Sequence, residues 1–305
     1  MIFLLILLVI VLLLLAAAYV AFYLVIVRLP VKPEPGKSKW LLPYREEVLS
    51  GAQWFRDQNP ERVSIRSRDG LKLVGYLLPA EEAKGTLLLV HGYRSDPWCD
   101  FGVIYPFYHA LGWNILTVCQ RAHSESDGKY ISFGIRERFD VCDWATFLAD
   151  RFGPEHCIVL NGISMGSTSV LMSLGTDLPE NVRGVIADCG FTSPRAEFLH
   201  VLKTRFRIPV HPIMEFSELY AKLFAKFGFS DYSTVTALKQ SKLPVLFVHG
   251  ENDAFVPVRF TVENYAACEG EKKLITVPDA GHGASYLLAR EQCQRALRKF
   301  LDKLA

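Results

Sequence analysis

The feature that most constrains the fold is a series of short, uninterrupted apolar runs separated by amphipathic stretches. Six such runs lie at 86–92, 114–119, 157–162, 182–188, 243–250 and 273–282. Strands that are buried on both faces of a parallel sheet have this continuous apolar character. Helical patterns occupy most of the intervals, at about 98–111, 135–152, 165–175, 257–268 and 284–304. This alternation predicts a mostly parallel α/β sheet with helices on both faces.

Two further runs precede this series and differ from it in pattern. Residues 62–67 and 71–78 alternate between apolar and polar side chains, and Asp69-Gly70 lies between them. Alternation indicates half-buried strands, and an Asp-Gly pair between two such strands favours a hairpin. We therefore predict one domain over 46–305, built on a sheet of about eight strands that begins with an antiparallel hairpin.

The interval between the fourth and fifth of the six runs, about 50 residues long, is too long for a simple crossover. It is rich in aromatic residues, and Phe216, Tyr220 and Phe224 recur at a spacing that places them on one helix face. Two interpretations remain open, a helix packed on the core or a small helical cap over a pocket. The position beside the carboxyl ends of two strands favours a cap at about 192–240.

The first 27 residues carry no charged side chain. About 20 apolar residues in a helix span a bilayer, and 27 would reach roughly 40 Å. A secretory signal peptide is the alternative, but it would need a basic start and a shorter apolar core. The alanines at 16–18 leave cleavage possible. We predict a transmembrane anchor at 1–28 and a proline-containing linker at 29–45.

Basic residues follow the apolar run, and no Lys or Arg precedes it. They are Arg28, Lys32, Lys37, Lys39 and Arg45. The positive-inside rule then predicts a single-pass membrane protein whose folded domain lies in the cytoplasm. The seven cysteines are odd in number and lie mostly in apolar runs. Buried free thiols in a reducing compartment have this pattern.

The composition excludes two other classes of site. No Cys-x-x-Cys pair or Cys/His cluster indicates a metal. The formal net charge is only +2, and no basic stripe predicts a nucleic-acid partner.

A Gly-x-Ser-x-Gly stretch runs from Gly162 to Gly166. An apolar run precedes it and a helical pattern follows, which is the context of a nucleophile elbow. Glycines on both sides relieve the crowding of a sharp strand-to-helix turn. Such a turn would expose the Ser164 hydroxyl and point the positive end of a helix towards it. Ser164 is therefore the candidate nucleophile.

A serine hydroxyl needs a base, and the base needs an orienting carboxylate. His282 lies in a loop between glycines just after the last apolar run and is the candidate base. Asp253, in the loop after the run at 243–250, is the candidate acid, and Asp188 is its competitor. The oxyanion would bind the backbone N–H groups of Met165, which follows the nucleophile, and of Tyr93 in the loop after the run at 86–92.

Four motifs at strand ends, HGYRSD, GISMGS, HGENDAFVP and AGHGAS, occur in this order. With them, the chain from about residue 60 to 303 resembles the α/β-hydrolase superfamily, and within it the membrane-anchored bacterial serine hydrolases with a small cap. The order Ser164, Asp253, His282 is the one this family uses. The resemblance implies acyl transfer through an acyl-serine without a metal or organic cofactor. In one departure, Gln120 stands where many relatives carry an acid, which puts the salt-bridge pattern beside the pocket in question.

These features favour a membrane-tethered serine hydrolase of carboxylic esters, with lipid-like acyl esters as a candidate substrate class. A peptidase or thioesterase of the same fold is the alternative among enzymes. A membrane-bound binding protein that keeps the fold without catalysis is the alternative outside enzymes. An intact Ser164, Asp253 and His282 set argues against the binding protein, which has no need of all three.

Overall fold

The computed structural model describes residues 1–30, 34, 41–206 and 210–305. The strands are β1 Glu61–Arg66, β2 Lys72–Leu78, β3 Thr86–Val90, β4 Asn114–Cys119, β5 Ile158–Ile163, β6 Val182–Asp188, β7 Val245–Gly250 and β8 Lys272–Val277. They form one sheet in the order β1-β2-β4-β3-β5-β6-β7-β8. β2 is antiparallel to both β1 and β4, and the other neighbours are parallel. This arrangement confirms the predicted sheet and its N-terminal hairpin.

Helices cover both faces of the sheet. They are α1 Ile2–Ile26, α2 Arg45–Asp57, α3 Pro97–Phe101, α4 Tyr105–Ala110, α5 Glu137–Phe152, α6 Met165–Ser173, α7 Pro194–Val201, α8 Ile213–Tyr220, α9 Thr234–Gln240, α10 Arg259–Ala267, α11 Ser285–Leu288 and α12 Arg290–Leu304. Single π-helical turns, Leu202–Phe206 and Ala221–Ala225, continue α7 and α8. The helix expected at 98–111 is two helices, because Pro106 has no N–H to offer the carbonyl four residues earlier.

Two apolar cores lie on opposite faces of the sheet. One contains Trp144 and Leu148 of α5 with Leu171 of α6. The other contains Phe55 of α2 and Leu301 of α12. Every residue of β3 and β4 is buried between these layers. Strands covered on both faces have no solvent-facing side, which explains why their sequences do not alternate.

A third apolar cluster joins α1 to the chain between β6 and β7, which we call the β6–β7 insert, residues 192–240. Phe22 of α1 is buried, and its ring lies 6.1 Å from that of Tyr220 and 5.9 Å from that of Phe224. Ser217 Oγ donates a hydrogen bond to the carbonyl of Ala18. The aromatic face of α8 and the π turn that continues it therefore packs against α1 and not on the sheet.

Helix α1 is 25 residues long, with a mean hydropathy of 3.3 over its most apolar stretch. The helix is long and apolar enough to cross a membrane. A signal sequence near an N-terminus would also meet these two criteria of length and composition. Its first half is exposed, whereas Ala18, Phe22 and Ile26 are buried. The linker expected at 29–45 lies largely outside the described residues.

The departure at Gln120 has a structural counterpart. The Gln120 amide donates to the carbonyl of His91 and accepts from Ser169 Oγ at 3.3 Å. The next residue, Arg121, is buried and pairs with Asp140 at 2.6 Å and with Asp69 at 2.8 Å. Although Gln120 is not an acid, Arg121 still forms salt bridges in this region. Their carboxylates come from the β1–β2 turn and from α5.

Candidate active site

Ser164 occupies the turn between β5 and α6 with φ 55° and ψ −120°. This left-handed conformation is costly for a residue that carries a Cβ. The turn also brings backbones close together. A Cβ on Gly162 would lie 2.3 Å from the backbone of Gly166, and one on Gly166 would lie 1.9 Å from the carbonyl oxygen of Val90. Both glycines are therefore required for the conformation that exposes the serine hydroxyl.

Ser164, His282 and Asp253 form one chain of hydrogen bonds at the carboxyl ends of β5, β8 and β7. His282 Nε2 lies 2.9 Å from Ser164 Oγ, and His282 Nδ1 lies 2.7 Å from Asp253 Oδ2. The other carboxylate oxygen of Asp253 accepts from the N–H groups of Phe255 and Val256, both at 2.9 Å. Because a carboxylate accepts, we assign the ring proton to Nδ1, which leaves Nε2 free to take the serine proton.

The surroundings of Asp253 and His282 set the pKa values of these two side chains. Burial acts to raise the pKa of Asp253, but hydrogen bonds from His249 and His282 hold that pKa well below its usual range. Burial also opposes a charged imidazole, whereas the ionised Asp253 carboxylate raises the pKa of His282. Asp253 therefore stabilises the imidazolium that forms when His282 takes the serine proton, as acyl transfer by serine requires.

Asp188, the competing acid, lies nearby but takes no part in the hydrogen bonds that link Ser164, His282 and Asp253. Its backbone carbonyl accepts from the N–H of Ser164 at 2.8 Å. Within the described residues its Oδ1 atom has no hydrogen-bond partner, and burial raises the pKa of the carboxyl to about 6. The geometry therefore pairs His282 with Asp253 rather than with Asp188.

The predicted oxyanion donors are the N–H groups of Tyr93, in the loop after β3, and of Met165, directly after the nucleophile. Met165 opens α6, where the first N–H groups of a helix have no intrahelical partner. In the part of the chain that the structure describes, neither N–H donates to another protein group. Tyr93 also lines the cavity at Ser164. Both groups are therefore free to hold a negatively charged oxygen.

Two residues that the sequence did not single out hold the loop around Tyr93. Asp100 accepts from the N–H of Gly92 at 2.6 Å, and His123 Nε2 accepts from the N–H of Arg94 at 3.0 Å. Burial lowers the pKa of His123 to about 4, so its ring is a neutral acceptor. Asp100 belongs to α3 and His123 to the turn after β4, and the fold brings both to the loop.

His249 is a third residue that sequence reasoning missed. It is the penultimate residue of β7, four residues before Asp253, and its Nε2 atom lies 3.3 Å from Asp253 Oδ2. The same nitrogen lies 2.8 Å from the carbonyl oxygen of Val256, and Nδ1 lies 2.6 Å from Thr261 Oγ1. His249 therefore fixes the loop that carries the acid. The signal that could have found it is its place in the motif HGENDAFVP, four residues before the candidate acid.

Cys189, Asp253 and His282 have potential metal-ligating atoms within 4.8 Å of one another. Burial raises the pKa of the Cys189 thiol to about 12. A neutral thiol is a poor metal ligand, because metals bind the thiolate. Asp253 and His282 already satisfy each other by a hydrogen bond. The donor set therefore suits proton transfer better than it suits a metal ion.

Two cavity compartments meet at Ser164. The first has a volume of about 450 Å³ and reaches between Asp100 and Tyr286. The second, of about 420 Å³, lies between α1 and the β6–β7 insert. Both volumes are typical of small-molecule sites, which span about 300–1,000 Å³. A substrate bound at Ser164 can place one part on each side of the serine.

Glu197 of α7 faces the second compartment and is buried. Within the described residues neither of its carboxyl oxygens has a hydrogen-bond partner. Burial raises the pKa of Glu197 to about 8. The side chain is therefore a neutral acid at neutral pH, in keeping with its apolar surroundings.

We expect Glu197→Gln to stabilise the protein increasingly as the pH rises. An unfolded carboxyl ionises near pH 4.5, whereas the folded one keeps its proton to about pH 8, so wild-type stability falls across this window. Each unit of pKa shift corresponds to about 1.4 kcal/mol, and the gain should reach about 2–4 kcal/mol at the upper end. Thermal unfolding of the full-length protein in detergent at about pH 5 and about pH 8 measures it. A gain that does not change with pH would contradict a buried neutral Glu197.

Comparison with known proteins gives the family. Residues 87–296 match the sequence profile of the alpha/beta hydrolase family. The chain belongs to the α/β-hydrolase family. This result confirms the resemblance that the four motifs indicated, and it places Ser164, Asp253 and His282 inside the matched region.

Relatives of this α/β-hydrolase occur in bacteria and yeast. The uncharacterized protein YqkD of Bacillus subtilis is 26% identical over 250 residues, which cover 82% of each chain. Protein bem46 of Schizosaccharomyces pombe is 26% identical over 235 residues, 74% of this chain and 72% of the relative. An esterase of Pyrococcus furiosus, Pf2001, has a similar structure with a TM-score of 0.64 and 22% identity, over 81% of this chain and 93% of the esterase. The similarity to Pf2001 shows a shared fold.

Proposed function

We propose that this α/β-hydrolase is a serine hydrolase that cleaves carboxylic esters through an acyl-serine intermediate. One observation carries the proposal. Ser164 Oγ, His282 and Asp253 are joined by hydrogen bonds of 2.9 Å and 2.7 Å at the top of the sheet. Membership in the family supports hydrolase activity, and Pf2001, a protein of the same fold, is an esterase.

In the proposed mechanism His282 removes the proton of Ser164 as the serine oxygen attacks the acyl carbon. The N–H groups of Tyr93 and Met165 stabilise the oxyanion that forms. The ester C–O bond then breaks, and the imidazolium returns its proton to the leaving alcohol. Water, deprotonated by His282, attacks the acyl-serine. The bond to Ser164 Oγ then breaks, the imidazolium returns its proton to that oxygen, and the carboxylic acid is released. Asp253 keeps the proton on Nδ1 and stabilises the imidazolium in both halves of the reaction.

The remaining parts of the chain have supporting roles in this proposal. The β6–β7 insert is the cap, because its residues form one wall of the second compartment above Ser164. Helix α1 is a single-pass anchor, since most of its apolar surface is exposed. The basic residues that follow it favour, by the positive-inside rule, a catalytic domain on the cytoplasmic side. The linker expected at 29–45 would join this anchor to the domain, whose first α-helix, α2, begins at Arg45.

Labelling with a fluorophosphonate, which reacts with activated serines, tests the proposal. We expect the purified full-length protein to be labelled and to hydrolyse p-nitrophenyl butyrate. A thioester and an anilide of the same acid separate esterase, thioesterase and peptidase activities, and the ester should react fastest. Absence of both labelling and turnover in folded protein would favour a non-catalytic binding protein.

A further inference from the structure

The second compartment has an unusual wall, because one side of it is helix α1. Ala21, Phe22, Leu24, Val25 and Ile26 face it from α1. The insert supplies the opposite side with Phe198, Leu202, Phe206 and Met214, among others. Ser164 lies at the inner end. Most lining side chains are aliphatic or aromatic, so the compartment suits a hydrocarbon chain attached to the group that reacts with Ser164.

Helix α1 is bound directly to the loop that carries Tyr93. The Tyr93 hydroxyl donates to the carbonyl of Val25 at 2.9 Å, and the Arg94 guanidinium donates to the carbonyl of Leu24. The carbonyl of Ile26 accepts from the N–H of Ile131 at 2.8 Å. The last carbonyls of a helix lack partners within it, so these bonds satisfy the end of α1. The wall is therefore fixed in position relative to the nucleophile.

Exposed apolar side chains mark where the compartment opens. Leu24 and Phe206 both line it, yet they are 50% and 62% exposed. Leu219, Leu223 and Phe224 are exposed on the same insert, and the ring of Phe224 packs against Phe22 of α1. Apolar surface beside a helix that can cross a bilayer is the surface expected to meet lipid. The exposed apolar side chains of α1 and the insert therefore form the entrance that we assign to the compartment.

We propose that the second compartment binds the long acyl chain of a membrane lipid ester, which enters from the bilayer between α1 and the β6–β7 insert. Helix α1 is then a wall of the substrate site as well as an anchor. The inference rests on the proposed serine hydrolase activity and adds the substrate class and the route of access. The ester carbonyl would lie at Ser164, with the alcohol part towards the first compartment.

A tryptophan placed in the wall tests this assignment. Val25 faces the compartment, whereas Val20 lies on the same helix, is 53% exposed and does not line it. Val25→Trp and Val20→Trp therefore make the same change in volume on two faces of α1. Full-length protein in phosphatidylcholine vesicles is assayed with p-nitrophenyl palmitate and p-nitrophenyl butyrate. We expect Val25→Trp to lower the ratio of palmitate to butyrate turnover by about tenfold or more, and Val20→Trp to leave it unchanged.

Each alternative outcome has a definite meaning. Equal ratios in both variants would overturn the assignment of the compartment. Mass spectrometry of the intact protein that shows α1 to be cleaved off would also overturn it. A wild type that is neither labelled nor active on either ester would instead refute the proposed function. If Val25→Trp fails to fold, as judged by loss of fluorophosphonate labelling, Ala21→Leu makes a smaller change in the same wall and should lower the ratio in the same direction.

The source of the substrate is tested separately. Palmitate ester placed in the vesicles that hold the protein should react much faster than the same ester in separate vesicles. Equal initial rates in the two arrangements would contradict access from the bilayer, since they would mean that the ester reaches the site through water.

Discussion

Replacing Ser164 with alanine is expected to abolish fluorophosphonate labelling and to lower ester turnover by at least about 10³-fold. The hydroxyl is the only group in the proposed mechanism that forms a bond to the acyl carbon, and His282 cannot replace it at 2.9 Å from the lost oxygen. Alanine carries a Cβ as serine does, so the substitution adds no backbone strain at φ 55°. The turn between β5 and α6 should therefore persist. The assay is hydrolysis of p-nitrophenyl butyrate by the full-length protein.

Ser173→Ala is the matched control for this variant. Ser173 ends the same helix, is buried and donates a hydrogen bond to the carbonyl of Val170 at 2.8 Å. Its loss should cost about 1 kcal/mol of stability and leave labelling intact. Labelling that survives Ser164→Ala would show that another nucleophile reacts, and the proposed mechanism would then be wrong.

Asp253→Asn should produce the second largest effect, a loss of about 10³- to 10⁴-fold in turnover with the fold retained. The amide can still accept from Phe255 and Val256 through one oxygen. Its NH₂ group would then face His282 Nδ1 and force that nitrogen to accept. The ring proton would move to Nε2, where it blocks removal of the proton from Ser164.

Asp188→Asn is the comparison that separates the two candidate acids. Asp188 makes no hydrogen bond to His282 within the described residues, so this variant should lose less than about tenfold in turnover. A loss as large as that of Asp253→Asn would assign the orienting role to Asp188. Circular dichroism and fluorophosphonate labelling establish for both variants that the site is assembled.

The sheet and the Ser164 turn were predictable because their causes are local. A buried parallel strand needs continuous apolar residues, and the turn at Ser164 needs glycines two residues away on either side. The loops of Asp253 and His282 follow because parallel strands end at one edge of a sheet, where their loops meet. These relations hold for any sequence with the same order of elements.

The supporting contacts were not predictable, because the residues that make them are distant from each other in sequence. His123 meets the N–H of Arg94 across 29 residues of chain, and Ser217 meets Ala18 across 199. The aromatic face of α8 was visible as a helical pattern, but periodicity does not say what covers a face. Nothing in the sequence indicated that α1 would pack on the insert and wall a compartment.

The burial of the last turns of α1 limits how far the domain can move from a bilayer. Ala18, Phe22 and Ile26 pack against the protein, so the exposed part of α1 continues from the folded domain as one unbroken helix. In the proposed membrane-anchored protein, Ser164 therefore works at a fixed height above the lipid. Its rate should follow the mole fraction of substrate in the membrane, not the bulk concentration.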